Sequence, residues 1–181
     1  MKYHVLANKI IHSFILALAF LLLNNTASAF SKITDGQIDD IKNHIGNGKW
    51  TILEVWTSDC PQCRVHMPEM VEFDGKLKNA RMLGISLDGL RGIEDAKGFV
   101  SEFKIKFPTI ISNPIEMNIW MQQNLGESLI GTPTFILFDP EGKLVAAQPG
   151  IVAISSLEKF IIQNSDPEKE VNVVDITDTS R

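Results

Sequence analysis

The chain has 181 residues, with 22 acidic and 17 basic side chains, four histidines and a formal net charge of -5. That length supports one domain with a substantial core, and the apolar share of 44% with 22% charged residues is that of an ordinary globular protein. The net acidity argues against nucleic acid as a partner, and no internal repeat or low-complexity segment is visible.

Residues 1–29 differ from the rest. Lys2 and Lys9 make a basic start, and no acid precedes Asp35. Ile10 to Leu23 is apolar apart from His12 and Ser13, and Ala27-Ser28-Ala29 supplies a small-x-small cleavage pattern. This layout predicts a secretory signal peptide removed near Ala29/Phe30, the apolar core being short for a membrane span. An uncleaved signal anchor is the alternative. The expected domain is then 30–164, followed by an acidic tail, 165–181. The mature chain keeps 15 basic and 22 acidic residues, and its expected location is periplasmic or otherwise exported.

In chain order, Thr34-Asp35 reads as a helix cap, with Ile38, Ile41 and Ile45 at helical spacing and Asn47-Gly48 as the stop. Trp50 to Thr57 is a near-continuous apolar strand, the pattern of one buried on both faces. Pro61 suits a first helical turn, where no amide bond is lost. That helix runs through Val65, Met67, Met70, Val71 and Leu77, with a kink expected at Pro68. Arg81 to Asp88 reads as a second buried strand. Glu94 to Phe103 reads as a helix with Ala96, Phe99, Val100 and Phe103 on one face. Phe107 to Ile111 is a short extended piece, and Glu116 to Leu125 a further helix. Gly131-Thr132-Pro133-Thr134 leads into a strand, Phe135 to Phe138. Asp139-Pro140-Glu141-Gly142 is a hairpin signal, and Leu144 to Ala147 pairs back. Ser155 to Ile162 closes the fold as a helix with Leu157, Phe160 and Ile161 inward. Val171 to Ile176, in the acidic tail, has the composition of a strand. Strands alternating with helices imply an α/β fold, a central sheet with helices on both faces, to which the closing hairpin adds an antiparallel pair.

The only two cysteines are spaced C-x-x-C in Cys60-Pro61-Gln62-Cys63. Two thiols on a helix's first turn can close into a disulfide and reopen with little backbone movement. A zinc site would lack ligands, because there is no second C-x-x-C and His44 and His66 are the only histidines beyond the leader. A bridge across so short a loop would be a weak staple. Redox work is the preferred reading, with staple and metal site as the alternatives.

Cys60, at the helix N-terminus, sits by unsatisfied amides and the positive end of the dipole, which lowers a thiol pKa. It is therefore the expected reactive thiol, and Cys63, one turn in, the shielded one that resolves the mixed disulfide. Glu54 lies in the middle of the apolar strand. If buried there its pKa should rise, and it could act as general base for Cys63; the alternative is a carboxylate at a sheet edge or paired with a lysine. His66, three residues after Cys63, shares its helix face and could assist a thiolate or shuttle a proton, or be an exposed histidine with no role. Arg64 reads as a surface charge near the site. Met67 and Met70 read as core in preference to copper ligands. Trp56 reads equally as core or, with Ile130, as apolar surface around Cys60.

The run Trp56 to Cys63, Pro68 eight positions after Cys60, and the distant Gly131-Thr132-Pro133-Thr134-Phe135 resemble the thioredoxin fold. The inserted Gly89 to Pro114, the Phe138 to Lys143 hairpin and the leader are similar to the TlpA/ResA-like exported thiol-disulfide oxidoreductases. The resemblance covers roughly Ile38 to Ile162. It implies a thioredoxin-like three-layer fold, a central mixed sheet flanked by helices on both faces. It implies Cys60 as attacking and Cys63 as resolving thiol of a redox-active disulfide. Thr132-Pro133 corresponds to the family's cis-proline pair, which binds an extended substrate strand. Glu54 falls where thioredoxin keeps a buried Asp. His66 stands where the ResA branch tends to carry a Glu, which puts in doubt a mechanism needing a carboxylate there.

The expected function is reduction of protein disulfides without a cofactor or metal. By the resemblance, apocytochrome c is one candidate substrate and an inner-membrane dithiol the electron donor. The same chemistry run backwards, as oxidase or isomerase, is the first alternative. A Cu(I)-binding chaperone is the second, and a peroxidase, from the T-x-x-C of Thr57 to Cys60, the third.

Overall fold

The computed structural model describes residues 30–165. The leader, its cleavage site and the tail beyond 165, Val171 to Ile176 included, lie outside them. In chain order the elements are β1 (Phe30–Lys32), β2 (Ile38–Asp39), a 3-10 turn (Ile41–Asn43), β3 (Trp50–Trp56), α1 (Pro61–Phe73), β4 (Ala80–Ser86), a 3-10 turn (Leu90–Gly92), α2 (Ile93–Glu102), β5 (Thr109–Ile111), α3 (Pro114–Leu125), β6 (Thr134–Phe138), β7 (Leu144–Pro149) and α4 (Ile154–Asn164).

One sheet of seven strands runs β2-β1-β5-β4-β3-β6-β7. β3 pairs in parallel with β4, and β4 with β5. The pairs β1/β2, β1/β5, β3/β6 and β6/β7 are antiparallel. β3 is central and buried along its whole length, as its unbroken apolar run predicts. Alternation along the strands builds two cores. Trp50, Ile52, Trp56, Phe135 and Leu137 pack under α1, α2 and α4, against Met67, Met70, Phe99 and Ile161. Leu53, Val55, Leu83, Ile85 and Ile136 pack on the other face, against Met117 and Met121 of α3 and Ile41 of the first 3-10 turn. The expected three layers are thus present. No helix among the described residues is long and apolar enough to cross a membrane.

The expected first helix over Ile38 to Ile45 is not formed; a β-hairpin and a single 3-10 turn replace it. Asp35 caps a turn instead, its Oδ1 accepting from the Gln37 amide at 3.0 Å. Gly36, at φ +70°, bends the chain back so that the Lys32 N–H reaches the Gln37 carbonyl at 2.8 Å. The turn from Ile41 cannot extend, because Gly46, Asn47 and Gly48 all adopt positive φ, which ends a helix. The isoleucine spacing is real but serves no common face: Ile41 is buried and Ile38 exposed.

Two smaller expectations are also corrected. α1 continues unbroken through Pro68 but stops at Phe73, short of Leu77. Phe160 is not inward; it sits at the rim, its ring edge-on to Trp50 with centroids 5.8 Å apart.

β4 carries Gly84 for a spatial reason. A Cβ there would lie 3.1 Å from Thr109 Oγ1, 3.1 Å from Trp56 Nε1 and 3.2 Å from the Phe107 ring. Gly84→Ala overpacks three side chains at once and is expected to cost about 1–3 kcal/mol, read as a lower urea midpoint with an unchanged m-value.

Candidate active site

β3 delivers the chain to the site at its C-terminal end. The loop 57–59 follows, and Cys60 becomes the N-cap of α1, with Pro61 in the first turn. Cys60 and Cys63 are joined as a disulfide with Cα atoms 5.3 Å apart. The Cys63 amide donates to Cys60 Sγ at 3.1 Å, so the cap sulfur occupies the place an Asp or Ser oxygen takes in other helices. Cys60 is 8% exposed and Cys63 fully buried. The two members of the pair are thus unequal in access, Cys60 keeping a little exposed surface and Cys63 none.

Glu54 lies between Ile52 and Trp56 on β3, so alternation points it into the same layer as Cys63 and Met67. It is fully buried, and neither Oε finds a hydrogen-bond partner among the described residues. Burial alone pushes its pKa up to about 8. The alternative of an edge carboxylate or a lysine pair does not hold, since β3 is central and the side chain is enclosed.

His66 is buried as well, not exposed on the helix. Its ring packs edge-on against Phe135, centroids 5.3 Å apart. Desolvation lowers its pKa, partly opposed by the Glu69 carboxylate, 3.8 Å from Nε2, and by the Val152 backbone. Phe135 is also the cross-strand partner of Glu54, so one residue neighbours both titratable groups, through its ring at His66 and through the sheet at Glu54.

The Thr132–Pro133 peptide is cis. β6 starts at Thr134, opposite Val55, so Pro133 lies at the end of the sheet where the cysteine loop leaves β3. The Pro133 carbonyl accepts from the Gly150 amide at 2.8 Å, which draws the exposed Ile151 toward the same end; Ile130 is exposed too.

Trp56, named above as a substrate contact or core, is core. It has no exposed surface and stacks on Phe99 at 4.4 Å, so it cannot touch a substrate directly. Met67 and Met70 are fully buried in the same core. Arg64 is half-exposed; it pairs with Glu102, donates to the Ser58 carbonyl at 3.2 Å, and lies over the rings of Phe99 and Phe103.

Sequence reasoning missed Ser58, Ser86 and Asp88. Ser58 donates its amide to both Asp88 oxygens at 3.1 Å and its hydroxyl to Oδ1 at 2.6 Å. Ser86 donates its hydroxyl to Oδ2 at 2.6 Å. The available signal was the polar Ser86-x-Asp88 ending the apolar run Met82 to Ile85, beside the strand that leads into the cysteines.

A mixed sheet between helical layers, with a cysteine pair capping the helix after its central strand, defines a thioredoxin-like redox domain. The chain belongs to the AhpC/TSA family, which matches residues 23–147. Among curated relatives, the thiol-disulfide oxidoreductase ResA of Bacillus thuringiensis (strain Al Hakam) is 30% identical over 120 residues, 63% of this chain and 62% of that protein. The match thus spans less than two thirds of the relative's length. Among solved structures, a thiol-disulfide isomerase from Corynebacterium glutamicum superposes with TM-score 0.57 at 26% identity, over 69% of this chain and 86% of that one. The thioredoxin domain of a thiol-disulfide oxidoreductase from Bacteroides vulgatus gives TM-score 0.57 at 23% identity, over 71% and 89%, and so shares the fold.

Proposed function

We propose that this chain is an exported thiol-disulfide oxidoreductase that reduces protein disulfides through Cys60 and Cys63. The observation that carries the reading is the asymmetry of the pair: Cys60 caps a helix N-terminus and keeps 8% exposure, and Cys63, one turn in, has none. The names of the ResA relatives support it.

In the forward direction the Cys60 thiolate attacks one sulfur of a substrate disulfide. That S–S bond breaks, a mixed disulfide forms, and the other substrate sulfur leaves as a thiolate. Cys63 then loses its proton to Glu54 and attacks Cys60 Sγ, releasing the second substrate thiol and closing the Cys60–Cys63 disulfide. A dithiol donor restores the reduced pair; protonated Glu54 then returns the proton to Cys63 as it leaves. His66 supports proton movement on the inner side. Thr132 and Pro133 hold an extended substrate segment by its backbone, with Ile130 and Ile151 supplying apolar contact. Apocytochrome c and an inner-membrane dithiol are the substrate and donor that the family resemblance favours.

The test is the reduction potential of the pair in thiol redox buffers, together with insulin-disulfide reduction. A potential near about -270 mV with active insulin reduction is expected. A value near about -120 mV would reverse the direction and make the protein a disulfide donor.

A further inference from the structure

The loop 57–59 presents Cys60 to the substrate, yet little within it fixes its shape. Its one internal backbone bond runs from the Cys60 amide to the Thr57 carbonyl, at 3.2 Å. All three polar groups of Ser58 are instead tied to other parts of the fold. Its N–H and hydroxyl both go to the Asp88 carboxylate, and its carbonyl accepts from Arg64 Nη1.

Each tether is itself anchored. Asp88 follows β4 and is steadied by the Ser86 hydroxyl, while its own amide donates back to Ser86 Oγ at 3.2 Å. Gly92 closes over it from the following 3-10 turn, where a Cβ would lie 2.9 Å from Asp88 Cβ. Arg64 is held by Glu102 and by the Phe99 and Phe103 rings around the C-terminal half of α2. The segment between β4 and β5 therefore grips the cysteine loop from two sides.

We propose that Asp88, acting through Ser58, is a positioning residue for Cys60: it holds the sulfur over the first-turn amides of α1 and so keeps the thiolate accessible at neutral pH. The proposal deepens the oxidoreductase reading. The physical basis is that helix-terminus stabilisation falls off within one turn and requires the anion to lie against the free amides. A loop released at Ser58 lets Cys60 Sγ drift from the Cys63 N–H. A carboxylate acting by its charge alone would do the opposite, since a nearby negative charge disfavours the thiolate.

The test follows iodoacetamide alkylation of Cys60 in the fully reduced chain against pH, with mass spectrometry to resolve the two cysteines. Asp88→Ala is expected to slow alkylation roughly tenfold near about pH 6, the effect of a thiol pKa raised by about one unit, and to leave the rate above about pH 9.5 unchanged. Asp88→Asn keeps an acceptor for Ser58 and is expected to restore the rate to within about threefold of wild type. If Ala and Asn both speed alkylation at low pH, the charge and not the clamp governs Cys60, and the proposal fails. It fails too if Asp88→Ala lowers thermal stability but leaves the pH profile in place. Ser58→Ala loses only the hydroxyl tether and serves if Asp88→Ala does not fold; its profile is expected to shift in the same direction, and an unshifted profile overturns the proposal. Alkylation needs no substrate protein, so a wild type inactive on insulin would refute the oxidoreductase reading and leave the clamp to be judged by its own profiles.

Discussion

Cys60→Ser is expected to abolish insulin-disulfide reduction, whereas Cys63→Ser is expected to retain attack and accumulate mixed disulfides with substrate. The two cysteines are close in sequence but unequal in access. Cys60, the helix cap, keeps a little exposed surface, and Cys63 has none. A serine at the cap leaves an alkoxide precursor too weakly acidic to attack sulfur, since the thiolate is the nucleophile. A serine at 63 leaves the first step intact and removes only the group that releases product. Non-reducing electrophoresis with mass spectrometry would read the trapped species. Wild-type activity in Cys60→Ser, or trapping by Cys60→Ser in place of Cys63→Ser, would overturn the assignment of the nucleophile.

Glu54→Leu is expected to stabilise the oxidised protein and slow the release of substrate. A carboxyl with no hydrogen-bond partner inside a packed layer costs free energy when ionised. With the folded pKa raised from 4.5 to about 8, the folded state holds a proton that the unfolded chain has released. The sign follows directly: between about pH 4.5 and 8 the native state binds more protons, so wild-type stability falls as pH rises, and the full cost is present above about pH 8. The shift corresponds to on the order of 5 kcal/mol. Leucine removes that slope, so the advantage of Glu54→Leu over wild type should grow with pH across this window in urea titrations. Single-turnover kinetics should show the mixed disulfide persisting, and the wild-type resolution rate rising toward about pH 8 as Glu54 ionises. A stability difference that does not change with pH would mean that Glu54 is not protonated in the folded state. Unchanged resolution would remove its catalytic role.

Much of this site is local, and that part was legible in the chain. The C-x-x-C spacing, the proline at the first helical position and the apolar run before it lie within one strand–loop–helix unit, and β3 and α1 form where those residues predict. The hairpin after β6 was equally plain. Asp139 Oδ1 accepts from the Glu141 and Lys143 amides, and Gly142 takes positive φ. The failed first helix shows the limit of the same reasoning. Isoleucines at helical spacing say nothing about which face is covered, and the glycine turns around them settled the backbone first.

From sequence alone, then, this protein was determined to carry a redox-capable cysteine pair at a helix start, in an alternating α/β chain. Those features depend on neighbours a few positions apart, where spacing and backbone preference decide the outcome. Only the tertiary structure decided that Glu54 and His66 are both enclosed, that Trp56 is core, and that Ser58 is gripped by Asp88 and Arg64. Each of these depends on which distant segment packs against a side chain: β6 sets Phe135 opposite Glu54 in the sheet and against the His66 ring, and the segment after β4 reaches back across 30 positions to Ser58. Burial and hydrogen-bond partnership are properties of that packing, and they set the acid–base character of the groups around the cysteines.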